Sequence, residues 1–154
     1  MEVGISVNIG KRNCNFEQSP SHYKYGYDAY DVLIAGFEMD DEQYQKQCTN
    51  DQYHIGSLQD ARRAAYLFLD KSADYLAGNN KAKLKKSANL YKMMLDNMIN
   101  IIPYEKTSSV FNRSSKPVWN MELRRDLANT LRVNKELERQ VQTIVKEILD
   151  NWDK

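Results

Sequence analysis

The chain has few cysteines and histidines, no surplus of charge and no long apolar run, and each scarcity removes a class of function. Its two cysteines, Cys14 and Cys48, stand alone, with no Cys-x-x-Cys pair and no Cys/His spacing of the kind that holds zinc. The two could form one bridge, but free thiols in a reducing compartment are the simpler reading. A Cys–His nucleophile pair would need His22 or His54 brought in by folding, so a cysteine-dependent acyltransferase or hydrolase stands as the rival to a noncatalytic reading. Lys+Arg 22 against Asp+Glu 21 leaves a net charge of +1, too little to gather nucleic acid or an anionic membrane. No apolar run approaches a bilayer span and no signal-peptide pattern opens the chain, so a cytoplasmic protein is expected. No motif for a catalytic residue, a metal or a cofactor is found, and none of the three is assigned.

What is present is size and pattern. With 154 residues, 42% hydrophobic and 28% charged, the chain suits one soluble domain with a real core. The opening "VGISVNIG" alternates Val3, Ile5, Val7 and Ile9 with small or polar residues, the period-two signature of a half-buried strand. Residues 1–24 thus read as extended strand and loop, and 25–154 as a helical bundle domain. A lone strand leaves its backbone edge unpaired, and a second copy of the same strand is the expected partner, which implies a homodimer.

After residue 24 the apolar spacing turns helical. Tyr30, Leu33, Ile34 and Phe37 predict a helix from about Tyr25 to Glu38, followed by the polar connector "MDDEQYQKQCTNDQYHIG". Ser57 is expected to cap a second helix whose buried arc is Leu58, Ala61, Ala65, Phe68, Leu69 and Leu76, with Gly78 ending it in a left-handed conformation. A third helix runs from near Asn80 to before Pro103 on Leu84, Ala88, Tyr91, Leu95, Met98 and Ile102. "YEKTSSVFNRSSKPV" reads as a long loop, and Asn120 as the cap of a fourth helix reaching Trp152, roughly 48 Å at 1.5 Å per residue. Its seam is Leu123, Leu127, Leu131, Leu137, Val141, Ile144, Ile148 and Trp152. The fold class is all-α: a four-helix bundle with one long C-terminal helix, plus a short N-terminal strand.

Within "SLQDARRAAYLFL" the two arginines differ. Arg63 falls with Asp60, Asp70 and Asp74 on the solvated side, whereas Arg62 sits on the shoulder of the apolar stripe. A guanidinium there must find acceptors, and Asp28, Asp31 or the phenol oxygen of Tyr30 are in line to supply them. An interhelical ion pair is the favoured reading, and a clamp for the carboxylate or phosphate of a small-molecule ligand is the functional one. The candidate ligand-binding set is Arg62, Tyr30, Tyr53 and Asn134, the last a polar residue in the seam of the fourth helix with Glu138 one turn on. Register is the simpler role for Asn134. Tyr23, Tyr25, Tyr27 and Tyr30 read as a half-wet helix entrance before a stacking pocket, and "KAKLKK" as a solvated helix start before a phosphate patch. The methionines, among them Met93, Met94 and Met98, read as core filling.

Three strings carry a family resemblance. "YGYDAYDVLI", "ARRAAYLFL" with Tyr53 in the connector before it, and "LYKMMLDNMINIIPY" resemble the helical region of uncharacterised bacterial proteins similar to the butirosin-biosynthesis protein H group. Relatives there often carry a papain-like, leader-peptidase-type domain in front. The resemblance implies that a nucleophile would lie on a separate papain-like domain. By it Cys14 inherits no catalytic role, and "VGISVNIG" could be a remnant of that front half. With no acid/base or nucleophile constellation in the chain and a polar pocket candidate at Arg62, Tyr30, Tyr53 and Asn134, a noncatalytic helical accessory or small-ligand-sensing module is the leading expectation. An oligomerisation or assembly module is the remaining alternative.

Overall fold

The structure, a computed structural model, describes residues 26–47, 51–107 and 118–151. Its elements are α1 (Tyr27–Phe37), α2 (Asp41–Gln47), α3 (Asp51–Ala73), α4 (Gly78–Ile101), α5 (Tyr104–Thr107) and α6 (Met121–Asp150). The fold is all-α, a bundle built on α1, α3, α4 and α6. The expected strand over Val3–Ile9 lies outside the described residues, as do Tyr23, Tyr25, Cys14, Cys48, His22 and Trp152. Among the described residues no helix is long and apolar enough to cross a membrane.

α1 starts after Gly26, whose φ of 60° and ψ of −133° favour a residue without a Cβ. It buries Tyr30, Ile34 and Phe37 along one line. The segment expected to be a polar connector holds α2 and the first turn of α3 instead. Two features explain this. Asp40 accepts the Gln43 amide at 2.8 Å, capping a helix start, and Tyr44 is buried, anchoring the short helix to the core. One anchor in seven residues leaves no periodicity to read.

α3 begins at Asp51, six residues before the expected cap, and Ser57 lies exposed within it. Its inward line is Ile55, Gln59, Arg62, Leu69 and Ala73, so Ala61 and Phe68, expected inside, point out. Two long polar side chains on the core line disguised it. Gly78 does take a positive φ, 56°, but it opens α4 rather than closing α3. α3 ends instead in tightened bonds from Asp74, Tyr75 and Leu76 to the carbonyls of Lys71, Ser72 and Ala73.

α4 buries Ala88, Tyr91, Leu95 and Met98 as its spacing predicts, with Met94 beside them, while Leu84 is only half-buried and Met93 is half exposed rather than core. Asn120 caps α6 by accepting the Leu123 amide at 2.9 Å. The α6 seam is buried at Leu127, Leu131, Val141, Ile144 and Ile148 and only half-buried at Leu123 and Leu137.

The core divides into two apolar clusters. One joins Tyr30, Ile34 and Phe37 of α1 to Ile55 of α3, Met98 of α4 and Leu127, Ala128 and Leu131 of α6. The other is assembled from α3, α4 and α6, through Leu69, Ala88, Tyr91, Met94, Val141, Ile144, Val145 and Ile148. α1 has 11 residues against 30 in α6, so it reaches only the first cluster. Between the two lies a polar layer, and that layer holds the candidate site.

Candidate functional site

Arg62 sits where the core line of α3 crosses this layer, and is 8% exposed. Its Nη2 donates to the Tyr30 hydroxyl at 2.7 Å and to Glu138 Oε2 at 2.7 Å, tying α3 to α1 and α6. The guanidinium carbon lies 5.6 Å from the Tyr30 ring centroid and 5.8 Å from that of Tyr91, a double cation–π contact. Tyr30 is thus the partner its spacing suggested, while Asp28 and Asp31 are not. Both are exposed on α1, and Asp31 pairs outward with Lys135 at 2.5 Å. The acceptor comes instead from across the bundle, from Glu138, which lies on the buried line of α6 one turn after Asn134.

Burial works against the Arg62 charge, but Tyr30 and Glu138 outweigh it and raise the guanidinium pKa. Burial likewise raises the Tyr30 and Tyr91 phenols, with Arg62 pulling each the other way. Arg62 Nε is buried without a hydrogen-bond partner in this structure.

Asn134, one turn before Glu138, is fully buried. It donates to the Met94 carbonyl at 2.9 Å and accepts from Asn97 at 3.0 Å, holding α6 in one register against α4. At the rim of the layer, the half-buried Tyr27 donates to Gln142 at 2.7 Å under the Arg139 guanidinium. Tyr53 does not join this group. It is exposed, edge-on to His54, about 13 Å along α3 from Arg62 at 1.5 Å per residue. The structure therefore brings Arg62, Tyr30 and Asn134 into one layer and leaves Tyr53 out.

Two polar nodes went unread in the sequence. Arg124, fully buried, donates to the Phe37 carbonyl at 3.3 Å, the Met39 carbonyl at 2.7 Å and the Asp41 carboxylate, with its guanidinium 4.1 Å from the Tyr44 ring centroid. It gathers carbonyls freed at the end of α1 and fixes the turn into α2. A signal existed, since Arg124 falls on the same helical line as Leu127 and Leu131. Gln59, also fully buried, donates to the Ile102 carbonyl at 2.9 Å and accepts from Thr107, fastening the α4–α5 turn onto α3.

The basic run is engaged in ion pairs: Lys83 with Glu147 at 2.8 Å, Lys85 with Asp70 at 2.9 Å and Lys81 with Asp74 at 3.9 Å. Between α1 and α6 lies an open groove of about 410 Å³, floored by Ile34 and Ala35 and walled by the pairs Asp31–Lys135 and Glu38–Arg132. Among the described residues no group of three or more His, Cys, Asp or Glu side chains could hold a metal ion. Chemically the buried layer neutralises its own charge and fixes α1, α3, α4 and α6 in register.

In comparisons with protein-family models, with curated proteins and with solved structures, none matches this chain.

Proposed function

We propose that the chain is a noncatalytic helical module that works through its surfaces, as an accessory or assembly element for other protein, rather than by converting a substrate. One observation carries this reading. The buried guanidinium best suited to grip a carboxylate or phosphate already holds the chain's own Glu138 and Tyr30. The resemblance noted in the sequence adds a papain-like domain as the kind of partner such a module would serve. A thermal-shift screen with small carboxylates, inorganic phosphate, acyl thioesters and aminoglycoside-like amines tests it. No ligand class should raise the unfolding midpoint. A concentration-dependent rise that Glu138→Gln alters would overturn the reading, because ligand binding stabilises the folded state by mass action.

A ligand-sensing module is the second reading, favoured by the α1–α6 groove with its apolar floor and paired charges of both signs. A shift produced by a zwitterionic amine and abolished by Lys135→Ala would select it instead.

A further inference from the structure

α1 is the short member of the bundle. Its 11 residues stand against 23, 24 and 30 in α3, α4 and α6, and Gly26 gives it no side-chain cap. A helix of fewer than about 12 residues is marginal alone in water, so α1 keeps its form through the surface beneath it. That surface belongs to three helices that close on one another without it. The second apolar cluster takes nothing from α1. Asn134 with the Met94 carbonyl, Lys85 with Asp70 and Arg62 with Glu138 join α3, α4 and α6 pairwise. Taking α1 away would leave Arg62 its Glu138, so no buried charge would be stranded.

The seat under α1 has what a groove needs to read a helix. Tyr30, Ile34 and Phe37, at i, i+4 and i+7, enter a cluster with Ile55 of α3, Met98 of α4 and Leu127 and Leu131 of α6. Along one rim Lys135 and Arg132 of α6 pair with Asp31 and Glu38, at i+1 and i+8. At the far end Arg124 collects the Phe37 and Met39 carbonyls, which sets the direction of the helix lying there. Apolar spacing, charge and direction are all specified.

We propose that α1 is a detachable occupant of this seat, and that an acidic amphipathic helix of another protein takes its place. That helix carries an aromatic residue, a branched aliphatic four on and a phenylalanine seven on, with acids at one and eight on facing Lys135 and Arg132. Its last carbonyls lie on Arg124. Its apparent affinity scales with the fraction of molecules whose α1 is unseated. Resting on the reading of the chain as an element for other protein, this names the surface and the kind of partner.

The test uses the full chain and, as probe, a fluorescent peptide with the sequence of residues 26–40. Ile34→Asp unseats α1 in cis, so the peptide should bind this variant about tenfold or more tighter than the parent. The same peptide with Asp31→Lys and Glu38→Lys should bind about tenfold or more weaker. Far-UV circular dichroism of Ile34→Asp should keep most of the helical signal, since α3, α4 and α6 stay folded. In the parent, native-state hydrogen exchange with rising urea should show the α1 amides opening before those of α4. Loss of all helix in Ile34→Asp, or one common opening for α1 and α4, overturns the inference. So does a peptide that fails to prefer the variant or ignores the charge reversal. None of these results touches the reading that the chain works through its surfaces, which fails on the thermal-shift screen instead.

Discussion

Arg62 on α3 and Glu138 on α6 meet at 2.7 Å in the layer between the two apolar clusters, 76 positions apart in the chain. A buried ion pair is a weak source of net stability, because desolvating two charges costs about what their attraction returns. What it does strongly is penalise every arrangement that leaves one charge alone. Arg62→Ala should therefore destabilise the fold by about 3–5 kcal/mol. Arg63→Ala, one residue on but exposed, should cost about 0.5 kcal/mol or less. Urea melts of the two variants check this, and equal midpoints would mean that the faces of α3 are misassigned.

Arg124 makes a similar demand at the other end of the bundle. Replacing it with Met leaves the Phe37 and Met39 carbonyls without their donor, at a cost of about 2–4 kcal/mol. Arg124→Lys should recover little, since a single ammonium cannot reproduce the fork that spans both carbonyls and Asp41. Hydrogen exchange should speed up first at the amides of α1 and α2 in both variants. Uniform acceleration along the chain would contradict a local pin.

Gly56 offers a test by sign. In an exposed helix interior, Gly→Ala stabilises by about 1 kcal/mol. Here a Cβ would stand 2.9 Å from the Thr107 carbonyl oxygen, which is backbone and cannot swing aside. Gly56→Ala is expected to destabilise by about 1–3 kcal/mol, while Ser57→Ala, exposed one residue on, stays neutral or gains slightly. Thermal melts side by side decide it, and a stabilised Gly56→Ala would show that α5 does not press on α3.

Alkaline pH should unfold the chain through its buried phenols. The ordinary tyrosine pKa is 10.0, and burial raises that of Tyr30 and Tyr91 in the folded state. A folded-state pKa raised above the unfolded value gives stability that is present below pH 10 and lost as pH climbs beyond it. Each phenol contributes up to about 1.4 kcal/mol per pH unit in that window. Urea midpoints should fall above pH 10, and less steeply in Tyr91→Phe, which has one fewer buried phenol to ionise. An unchanged slope in that variant would contradict the assignment.

The helices rich in apolar residues could be read directly. Most of the α4 stripe, the Asn120 cap and most of the α6 seam follow from spacing alone, and the all-α class with them. Asn134 was legible as a polar break in an apolar line, and Arg62 as a charge on a shoulder. Polar residues that take core positions were harder. Gln59 and Arg62 lie on the inward line of α3, so its apolar residues alone define a rotated face with Phe68 inward. Arg124 hid for the same reason on α6. α2 was invisible because one tyrosine and a capping aspartate make a helix without a period. Glu138 as the partner of Arg62 needed the third dimension, since sequence offers many acids and no measure of which can reach across the bundle.

The most direct measurement is a double-mutant cycle on Arg62→Met and Glu138→Leu, read by urea melts at neutral pH. Each single variant strands a buried polar group and should lose about 3–5 kcal/mol, whereas the pair replaces the tie with apolar side chains of similar length. The double variant should then be clearly more stable than the sum of the single losses allows, with the same helical spectrum. Simple addition of the two losses would mean that Arg62 and Glu138 do not depend on each other, and that the centre of the bundle is not the self-contained tie described.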